Sequence, residues 1–398
     1  MTDGAPLTLS VHPSIRAIPA AAWDACAGGD NPFVSHAFLS ILEDSGSACA
    51  ETGWQPCPLT LTDVDGTVVA CAPLYLKSHS YGEYVFDWSW ADAFQRAGGA
   101  YYPKFQCAVP FTPATGPRLL TGAATGERRR ILQQTLADGM IALAGANEAS
   151  SVHITFPTDG EVAALSGHNR LRHRTGIQFH WINEGYDSFD GFLAALNSRK
   201  RKTLRKEREK ANAQGVRFLT LSGKDITPRH WQAFYGFYLA TVDRKWSNAY
   251  LTERFFTLLG ERMADSVVLV MGEDERTGEL VCGALNLRGA DTLYGRNWGA
   301  TEQAKFLHFE TCYYRAIEYA IAHGLKRVEA GAQGGHKLLR GYRPVLTHSL
   351  HWIAHPGLES AVSRALRQER AEITRTLAEM EADSPFRQEQ TATAEESP

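Results

Sequence analysis

Two internal matches at a common spacing constrain the fold of this chain more than any other feature. The run VVACAPLYL resembles the later run LVCGALNL, and their cysteines, Cys71 and Cys282, lie 211 residues apart. A Tyr-x3-Trp motif follows each run, and its tryptophans, Trp88 and Trp298, lie 210 residues apart. Because each match is short, the shared offset is the informative observation. It predicts two tandem copies of one arrangement of helices and strands.

Length and composition agree with two globular domains. The 398 residues exceed the length of a typical single domain, and 44% hydrophobic with 21% charged residues is ordinary globular usage. The formal net charge is −3, so any basic surface must be local. The composition therefore predicts no DNA partner.

The cysteines and the apolar runs indicate a reducing compartment. Seven cysteines are scattered along the chain without a CxxC pair, so neither a disulfide framework nor a thiolate zinc site is expected. The N-terminal run MTDGAPLTLSVHPSIRAIPA lacks the basic region and apolar core of a secretory signal, and no stretch is apolar enough for a membrane span. We therefore expect a cytoplasmic protein with no metal site and no integral membrane segment.

Apolar periodicity and turn residues divide the chain into two similar halves and a C-terminal region. The first half, 1–182, and the second half, 183–356, each predict helices, an antiparallel hairpin, further strands and an amphipathic helix. An amphipathic helix is predicted over 357–383, and the polar segment 384–398 is predicted to be disordered. The Gly-, Pro- and aromatic-rich segment 82–117 is predicted to be a long loop that lines a cleft.

Each half contains one hairpin signal. In 59–76, the pair Asp65-Gly66 lies between two β-rich runs, which is the signature of a two-residue turn. Residues 267–287 have the same outline around the turn GEDERTGE. We expect the two hairpins to be equivalent, each within a mixed sheet.

The order of these elements resembles the GNAT acyltransferase fold, and two copies in one chain resemble the FemAB-like acyltransferases of bacteria. Within that group the chain is similar to the branch described as predicted N-acyltransferases or peptidoglycan biosynthesis/recognition proteins. The resemblance covers about residues 7–356 and is carried by NPFVSHAFL (31–39), YYPKFQCAVPFTPATGPRLL (101–120), RKRKTLRKEREKANAQGV (199–216), LHFETCYY (307–314) and EAGAQGGHKLLRGYRP (329–344).

The resemblance implies an α+β fold built from tandem GNAT-like domains, each a mixed, mostly antiparallel sheet flanked by helices. It also implies an N-acyltransferase that moves an acyl or aminoacyl group from a thioester or ester donor to an amine by direct attack with general-base assistance. Acyl-coenzyme A is the implied co-substrate, and a nucleotide-linked molecule is an implied substrate. The full GNAT pyrophosphate motif, [QR]-x-x-G-x-[GA], is replaced by a loose substitute at 295–300.

A strongly basic helix is predicted before the first strand of the second half. From Arg199 to Lys210 the chain carries eight basic and two acidic residues. At 3.6 residues per turn, several of the basic residues share one face, which suits the neutralisation of phosphates. We assign this contact to Arg205 and Lys206, and a solvated helix surface is the alternative.

A glycine-rich loop, GAQGGHK, follows a predicted strand in the second half. Glycines allow backbone N–H groups to converge on an anion, and basic side chains beside them add charge. A solvated turn is the alternative. The sequence therefore predicts ligand contacts from Gln333, Gly334, Gly335, His336, Lys337 and Arg340.

The start of the predicted helix 305–323 is the expected centre of the chemistry. Amide formation needs a group that accepts a proton from the attacking amine, and His308 and Glu310 lie there within one turn of each other. Glu329, at the end of a strand, is a third candidate. Each of the three is alternatively a cap or a structural hydrogen-bonding residue.

The walls of the predicted cleft come from both halves. The strand before the helix contributes Arg296 and Trp298, and the aromatic loop of the first half contributes Trp88, Tyr102 and Lys104. Tryptophan and tyrosine combine a stacking surface with a polar group, which suits a sugar, a peptide or an acyl chain. Core packing is the alternative for each aromatic residue.

Two other functions compete with N-acyl transfer from a thioester. An aminoacyl-tRNA-dependent aminoacyltransferase that extends a peptidoglycan precursor has the same fold, and a non-catalytic module binds a cell-wall fragment or RNA. The cluster of His308, Glu310, Glu329 and His336 favours an enzyme over a binding module. The chain contains neither HExxH nor G-x-S-x-G, so a metalloprotease and a serine hydrolase are not expected.

Overall fold

A computed structural model describes residues 6–244, 248–301, 307–331 and 334–387 of the chain. The first half contains, in chain order, β1 (Thr8–Val11), α1 (Ala20–Ala27), α2 (His36–Asp44), β2 (Trp54–Pro56), β3 (Leu59–Thr62), β4 (Val68–Ala72), β5 (Leu74–Lys77), α3 (Trp88–Arg96), β6 (Lys104–Cys107), α4 (Gly126–Ala146), β7 (Ser151–Thr155), α5 (Asp159–Leu165) and β8 (Arg172–Ile182).

The second half follows the same plan with longer strands. It contains α6 (Phe189–Ala195), α7 (Ser198–Asn212), β9 (Val216–Ser222), α8 (Pro228–Arg244), α9 (Glu253–Arg262), β10 (Val267–Asp274), β11 (Leu280–Arg288), β12 (Thr292–Ala300), α10 (Leu307–Phe309), a π-helical turn (Glu310–Tyr314), α11 (Arg315–Ala322), β13 (Arg327–Glu329), β14 (Arg343–Ile353) and α12 (Pro356–Ala382).

Strands from both halves form one eleven-stranded sheet in the order β2-β5-β6-β7-β14-β8-β13-β12-β11-β10-β9. The last strand of the second half, β14, lies between β7 and β8 of the first half. In turn β8 lies between β14 and β13, although the sequence assigned it to the first domain. The two halves are therefore joined by main-chain hydrogen bonds across an exchanged pair of strands.

Each half contains one parallel strand pair connected by a helix. In the first half β6 is parallel to β7 with α4 between them in sequence, and in the second half β12 is parallel to β13 with α10 and α11 between them. The other pairs in the sheet are antiparallel. This repeated unit confirms the predicted α+β tandem fold.

The two predicted hairpins do not lie in the same kind of sheet. β10 and β11 pair within the large mixed sheet, whereas β3 and β4 form a separate three-stranded antiparallel sheet with β1. The chain changes sheets at Pro73, between β4 and β5. Proline has no N–H to donate to a ladder, so it interrupts the strand there. The expectation that the two hairpins are equivalent, each within a mixed sheet, is met by 267–287 and was wrong for the β3–β4 hairpin of 59–76.

The two Tyr-x3-Trp motifs also do not lie in equivalent elements of the two halves. Trp298 lies on β12, but Trp88 begins helix α3. The parallel pairing shows that β6 is the strand equivalent to β12. The segment 82–117, predicted to be a loop, therefore contains both a helix and a strand of the large sheet.

The crossover helices supply the core on one face of each parallel pair. In α4, Leu132, Leu136 and Met140 recur at four-residue intervals and are buried against the first-half strands. In the second half, Ala316 and Ile317 of α11 are buried in the corresponding position. Each large apolar side chain buried in this way contributes about 1.5–3 kcal/mol relative to an exposed position.

The start of the C-terminal tail is docked on the second half. The N–H of Asn197 donates to the carbonyl of Pro385, and the N–H of Arg387 donates to the carbonyl of Ala195. The guanidinium of Arg343 covers the ring of Phe386 at 4.7 Å. Disorder was predicted from residue 384, and this is wrong for residues 384–387; residues 388–398 lie outside the described part of the chain.

Among the described residues, no helix combines the length and the apolar character that a membrane span requires.

Candidate active site

A cleft opens where β12 and β13 separate. Their parallel pairing ends at Tyr294 and Glu329, but β12 continues to Ala300. A bulge at Arg296 shifts the register of β12 against β11. Within the described residues no strand pairs with the other edge of β12 beyond this point, and the Ala300 carbonyl on that edge accepts a hydrogen bond from Arg244.

The cleft has a volume of about 600 Å³, and the second half supplies most of its wall, from α8, residues 248–251, β11, β12, the start of the helix after β12 and the glycine-rich loop. The last three of these are the segments that the sequence predicted to meet at the site. Four first-half residues complete the wall. The second-half lining residues nearest the strand separation are Gly295, Arg296, Asn297, Trp298, His308, Cys312, Tyr313, Ala330, Gly331, Gly334 and His336.

Two imidazoles and a phenol meet inside the cleft. The hydroxyl of Tyr313 lies 2.9 Å from Nε2 of His336. The ring of His308 packs on Trp298 with 5.0 Å between centroids and lies 6.1 Å from the ring of His336. Burial lowers the pKa of His336, and two neighbouring cations, Arg340 among them, lower it further. His336 is therefore neutral near pH 7 and able to accept a proton.

Glu310 does not face the cleft. Its carboxylate is fully buried, where Arg208 binds it through Nη2 at 2.8 Å and Nε at 3.0 Å. Arg315 forms a second ion pair at 2.9 Å. Residues two apart on a helix point about 200° from each other, so Glu310 faces the protein interior when His308 faces the cleft. Glu310 was one of three candidates for the general base, and for this residue the candidate role was wrong.

Glu329 lies beneath the cleft rather than in its wall. Its side chain is buried, and neither carboxylate oxygen accepts a hydrogen bond from the described residues. The Nε2 atom of His180 is 3.7 Å from one of these oxygens. Burial raises the pKa of Glu329 to about 7. The next residues, Ala330 and Gly331, line the cleft.

The glycine-rich loop presents its backbone and one imidazole to the cleft, while its basic side chains hold the loop in place. Gly334 has φ of 116°, a conformation that other residues rarely adopt. The Nζ atom of Lys337 is buried and donates to the carbonyl of Gly331 at 2.8 Å. Arg340 pairs with Glu207 at 3.0 Å. The predicted ligand contacts of Lys337 and Arg340 are therefore replaced by structural contacts.

Two further residues of the predicted loop site have different positions. Gly335 begins a short 3₁₀ turn over Gly335–Arg340 and is not part of the cleft wall. Gln333 lies outside the described residues.

Arg205 and Lys206 are exposed on α7 and do not line the cleft. Arg205 reaches Asp190 at 3.1 Å. The inward face of the same helix carries Glu207 and Arg208, which bind the loop and the buried Glu310 described above. Phosphate binding by Arg205 and Lys206 stays a prediction.

The three first-half residues predicted for the wall lie elsewhere. Trp88 is 39% exposed and packs against Tyr81. Tyr102 bonds to Ser80 at 2.8 Å. Lys104 is fully buried and donates to Glu83 at 2.7 Å and to Asp87. The first-half wall consists instead of Tyr84, Phe86, Phe111 and Pro113.

Two of these first-half wall residues, which the sequence analysis did not select, have an unusual backbone conformation. No sequence pattern predicts it. Tyr84 and Phe111 have φ of 61° and 58°, in the left-handed region that non-glycine residues seldom occupy. Phe111 stacks on Tyr250 with centroids 5.1 Å apart and an interplanar angle of 8°. Such backbone conformations persist where surrounding contacts hold them, and they cluster at binding sites.

A buried polar cluster lies at the start of the first-half parallel pair, at the end opposite to the one at which β12 and β13 separate. There the Nζ atom of Lys104 lies among Ser80, Glu83 and Asp87 beside the β6–β7 pair. His153 on β7 bonds to His351 of β14 at 2.6 Å. These charged and polar groups are all buried. Among the described residues, no group of histidine, cysteine and carboxylate side chains is placed to hold a metal ion.

A parallel strand pair with a crossover helix, present twice in one sheet and open to a ligand in its second copy, defines a tandem GNAT-like transferase fold. Residues 14–388 match the model of the FemAB-like family, described as peptidoglycan biosynthesis/recognition. The chain belongs to this family. The predicted family, fold and transferase class are confirmed.

Solved structures share the fold at low sequence identity. The crystal structure of FemX is 12% identical with a TM-score of 0.54, over 89% of this chain and 100% of that chain. The C-terminal domain (DUF2156) of a putative lysylphosphatidylglycerol synthetase from Agrobacterium fabrum is 9% identical with a TM-score of 0.52, over 88% and 95%. A tandem GNAT protein from the clavulanic acid biosynthesis pathway is 14% identical with a TM-score of 0.49, over 88% and 99%. No curated protein sequence matches this chain.

Proposed function

We propose that this protein transfers an acyl or aminoacyl group from an activated ester or thioester to an amine in the cleft between β12 and β13. The observation that carries the proposal is the hydrogen-bonded pair of Tyr313 and His336 inside that cleft, next to the unpaired edge of β12. A module that only binds a ligand needs no such proton-accepting pair.

The reaction follows from the chemistry of the pair. The amine nitrogen attacks the carbonyl carbon, and the C–N bond forms while the amine proton passes to the oxygen of Tyr313. The tyrosine's own proton moves to Nε2 of His336 at the same time. As the tetrahedral intermediate collapses, its C–O or C–S bond breaks and the imidazolium returns the proton to the leaving oxygen or sulfur. Positioned acid–base groups of this kind typically contribute roughly 10²–10⁴ in rate.

Stabilisation of the oxyanion falls to the backbone. The N–H of Trp298 points to the unpaired edge of β12, because Trp298 lies opposite Ala284 in a pair that exchanges no ladder hydrogen bonds, and it has no ladder partner among the described residues. Preorganised donors beside a developing negative charge are worth about 10²–10³ in rate for each donor. Arg296 gives the cleft a positive charge, and none of its described lining residues is acidic. An anionic donor fits this environment.

We propose acyl-coenzyme A as the donor, because the positive cleft accommodates an anionic thioester without a large basic surface. An aminoacyl-tRNA is the second candidate, and the exposed basic residues of α7 favour it, since they form a local surface for a polyanion. A peptidoglycan precursor with a free amine is the proposed acceptor for either donor, in keeping with the family description.

One assay distinguishes the two donors and also tests the role of the Tyr313–His336 pair. The purified protein is incubated with labelled acyl-coenzyme A or labelled aminoacyl-tRNA, each with amine-bearing peptidoglycan precursors, and amide product is measured by mass spectrometry. His336→Gln should reduce turnover by roughly 10²–10⁴, whereas His323→Gln, an exposed histidine at the end of α11, should not. Product from neither donor, or full activity in His336→Gln, contradicts the proposal.

A further inference from the structure

Arg296 is a charged residue of the cleft wall that the proton relay does not use. It lies at the bulge of β12, and its Nη2 atom donates to the carbonyl of Phe111 and, at 3.4 Å, to the hydroxyl of Thr112. Among the described residues its Nε and Nη1 atoms have no hydrogen-bond partner, and neither atom is enclosed by protein. Because Arg296 lines the cleft, these donors are available to a ligand.

The charge of Arg296 is balanced only in part. Burial lowers its pKa to about 10, so the guanidinium is still charged near pH 7. The carboxyl of Glu329 acts on it at longer range without forming an ion pair, and burial raises the pKa of that carboxyl to about 7. A cation held away from water is stabilised when an anion pairs with it. A ligand that brings a carboxylate to Arg296 therefore supplies what the protein leaves out.

The hydroxyl of Tyr238 is a second donor without an acceptor in the same wall. Its oxygen accepts hydrogen bonds from the backbone N–H groups of Tyr250, at 2.9 Å, and Leu251, at 3.2 Å. These bonds leave the hydroxyl proton, and no described residue accepts it. Tyr238 is 6% exposed and lines the cleft, so an oxygen atom of a ligand can accept this bond.

Arg296 and Tyr238 lie in one part of the cleft, with Tyr84 near both. Burial raises the pKa values of the two tyrosines; in addition, Arg296 acts on the pKa of Tyr84, and Tyr84 acts on that of Tyr238. Apolar surface surrounds these polar groups. The rings of Phe111 and Tyr250 stack 5.1 Å apart, and Val242 and Leu251 add aliphatic surface. Such a surface favours an apolar ligand group over water.

This part of the cleft lies across the sheet from the proton-accepting pair. Arg296 covers the ring of Phe33 at 5.4 Å, and Phe33 belongs to the same apolar cluster as Leu269 of β10. The neighbouring residue, Val268, belongs to the cluster of Tyr313. Successive residues of a strand face opposite sides of a sheet. Because β12 and β13 separate here, the cleft reaches both faces. One reactant can therefore contact Arg296 and present another group to the pair.

We propose that the acceptor carries a free carboxylate on an apolar residue in addition to its amine. Arg296 binds this carboxylate, Tyr238 donates to an oxygen of the same molecule, and the surface around Phe111 receives the apolar group. The role as acceptor rests on the proposed acyl transfer, whereas binding of the carboxylate does not. A free apolar amino acid and the C-terminal residue of a peptide have the same chemistry at this site.

The enantiomers of N-acetyl-phenylalanine are the probes, because they have the carboxylate and the ring but no amine that can react. In titration calorimetry on the full chain, at least one enantiomer should bind about tenfold or more tightly than its uncharged amide, since hydrogen bonds between charged groups matter on this scale. Equal binding of acid and amide, or no binding of either, overturns the proposal.

Variants assign the preference to Arg296. Arg296→Gln should remove the preference for the acid, and Arg296→Lys, which keeps the charge, should retain part of it. Arg217→Gln is the matched control, because Arg217 is an exposed strand arginine that pairs with Glu273 at 3.4 Å, and it should bind as the parent does. A full preference in Arg296→Gln overturns the proposal. Since Arg296 also joins β12 to the first half, the comparison in the parent decides if neither variant folds.

Competition identifies the source of the carboxylate. Displacement of the probe by free phenylalanine supports an amino acid, and displacement only by the dipeptide alanyl-phenylalanine supports a peptide C-terminus. Displacement by neither overturns the proposal. Displacement by coenzyme A also overturns it, because Arg296 then serves the donor.

Failure of the acyl-transfer proposal would look different. Binding that prefers the acid and depends on Arg296, in a protein without transferase activity, keeps the carboxylate site and removes the proposed function. In an active protein, an acceptor with a free carboxylate should have a KM about tenfold lower than its amide, and Arg296→Gln should abolish this difference. Equal KM values in an active parent overturn this inference and leave the proposed function in place.

Discussion

The hydroxyl of Tyr313 lies 2.9 Å from Nε2 of His336, although the two residues are 23 positions apart. The π-helical turn Glu310–Tyr314 sets the direction of the tyrosine, and the left-handed conformation of Gly334 sets the start of the turn that carries the histidine. Both rings also contact Phe309. The pair is thus held from two sides of the cleft before a substrate arrives.

Tyr313 and His336 should act as a unit. Tyr313→Phe removes the proton relay and should lower kcat by roughly 10²–10⁴. The double variant Tyr313→Phe/His336→Gln should be no slower than the slower single variant, because each substitution already breaks the same relay. Steady-state kinetics of the three variants measure this. Additive losses would show that the two residues act independently.

The rate should depend on the protonation of His336. Burial and the nearby cations lower its pKa from the ordinary value of 6.5, so the neutral, active form persists to lower pH than for a free histidine. We expect kcat/KM, referred to the concentration of the unprotonated amine, to be constant near neutral pH and to fall with acid through an apparent pKa below 6.5. A pH profile of kcat/KM checks this, and Tyr313→Phe should lose the limb. An acid limb at or above pH 6.5 contradicts the assignment.

Glu310 should matter for stability rather than for chemistry. Glu310→Gln removes a buried charge that binds Arg208 and Arg315, and breaking a buried pair in this way costs about 3–5 kcal/mol of the free energy of unfolding. Glu318→Gln, a partly exposed partner of the same arginines, should cost about 1 kcal/mol or less. Urea unfolding measures both, and activity is compared below the transition. A large loss of turnover with unchanged stability would return Glu310 to the catalytic candidates.

Glu329 should make stability depend on pH. Its pKa is about 7 in the folded protein, above the ordinary 4.5, so the folded state binds its proton more tightly than the unfolded state does. That contribution is complete below about pH 4.5 and is lost as pH rises through 7. Glu329→Gln should therefore match the parent at pH 4.5 and exceed its stability at pH 8, by about 1–3 kcal/mol. Urea unfolding at both pH values tests this, and equal differences at the two would contradict it.

The local pattern of the sequence was enough to predict that one arrangement of helices and strands occurs twice. It was also enough to predict which half contains the candidate site. Period-2 and period-3.6 runs predicted the helix after β12, the strand before the glycine-rich loop and the stripe of α12, and these elements exist within a few residues of their predicted ends. The offset of the repeat predicted two units, and the glycine-rich loop predicted which unit carries the cleft. Such features depend on neighbours in the chain, so the sequence contains them directly.

The exchange of β8 and β14 was not predictable in the same way. Both β8 and β14 have the sequence pattern of a half-buried strand. This pattern does not determine which neighbouring strand each of them pairs with. Strand order is decided by which distant edges remain free after the local units form. Here β14 pairs with β7 and β8, so the predicted boundary at residue 182 falls inside a continuous sheet.

The assignment of individual side chains also depended on tertiary structure. The sequence by itself placed His308 and Glu310 at the start of the helix after β12, and it placed Lys104 in an aromatic loop of the first half. Only the packing decided that His308 faces the cleft, that Glu310 is enclosed by Arg208 and Arg315, and that Lys104 is neutralised by Glu83 and Asp87. The physical reason is that a buried charge is stable only beside an opposite charge. For Glu310 and Lys104 the tertiary structure supplies that opposite charge from residues distant in sequence.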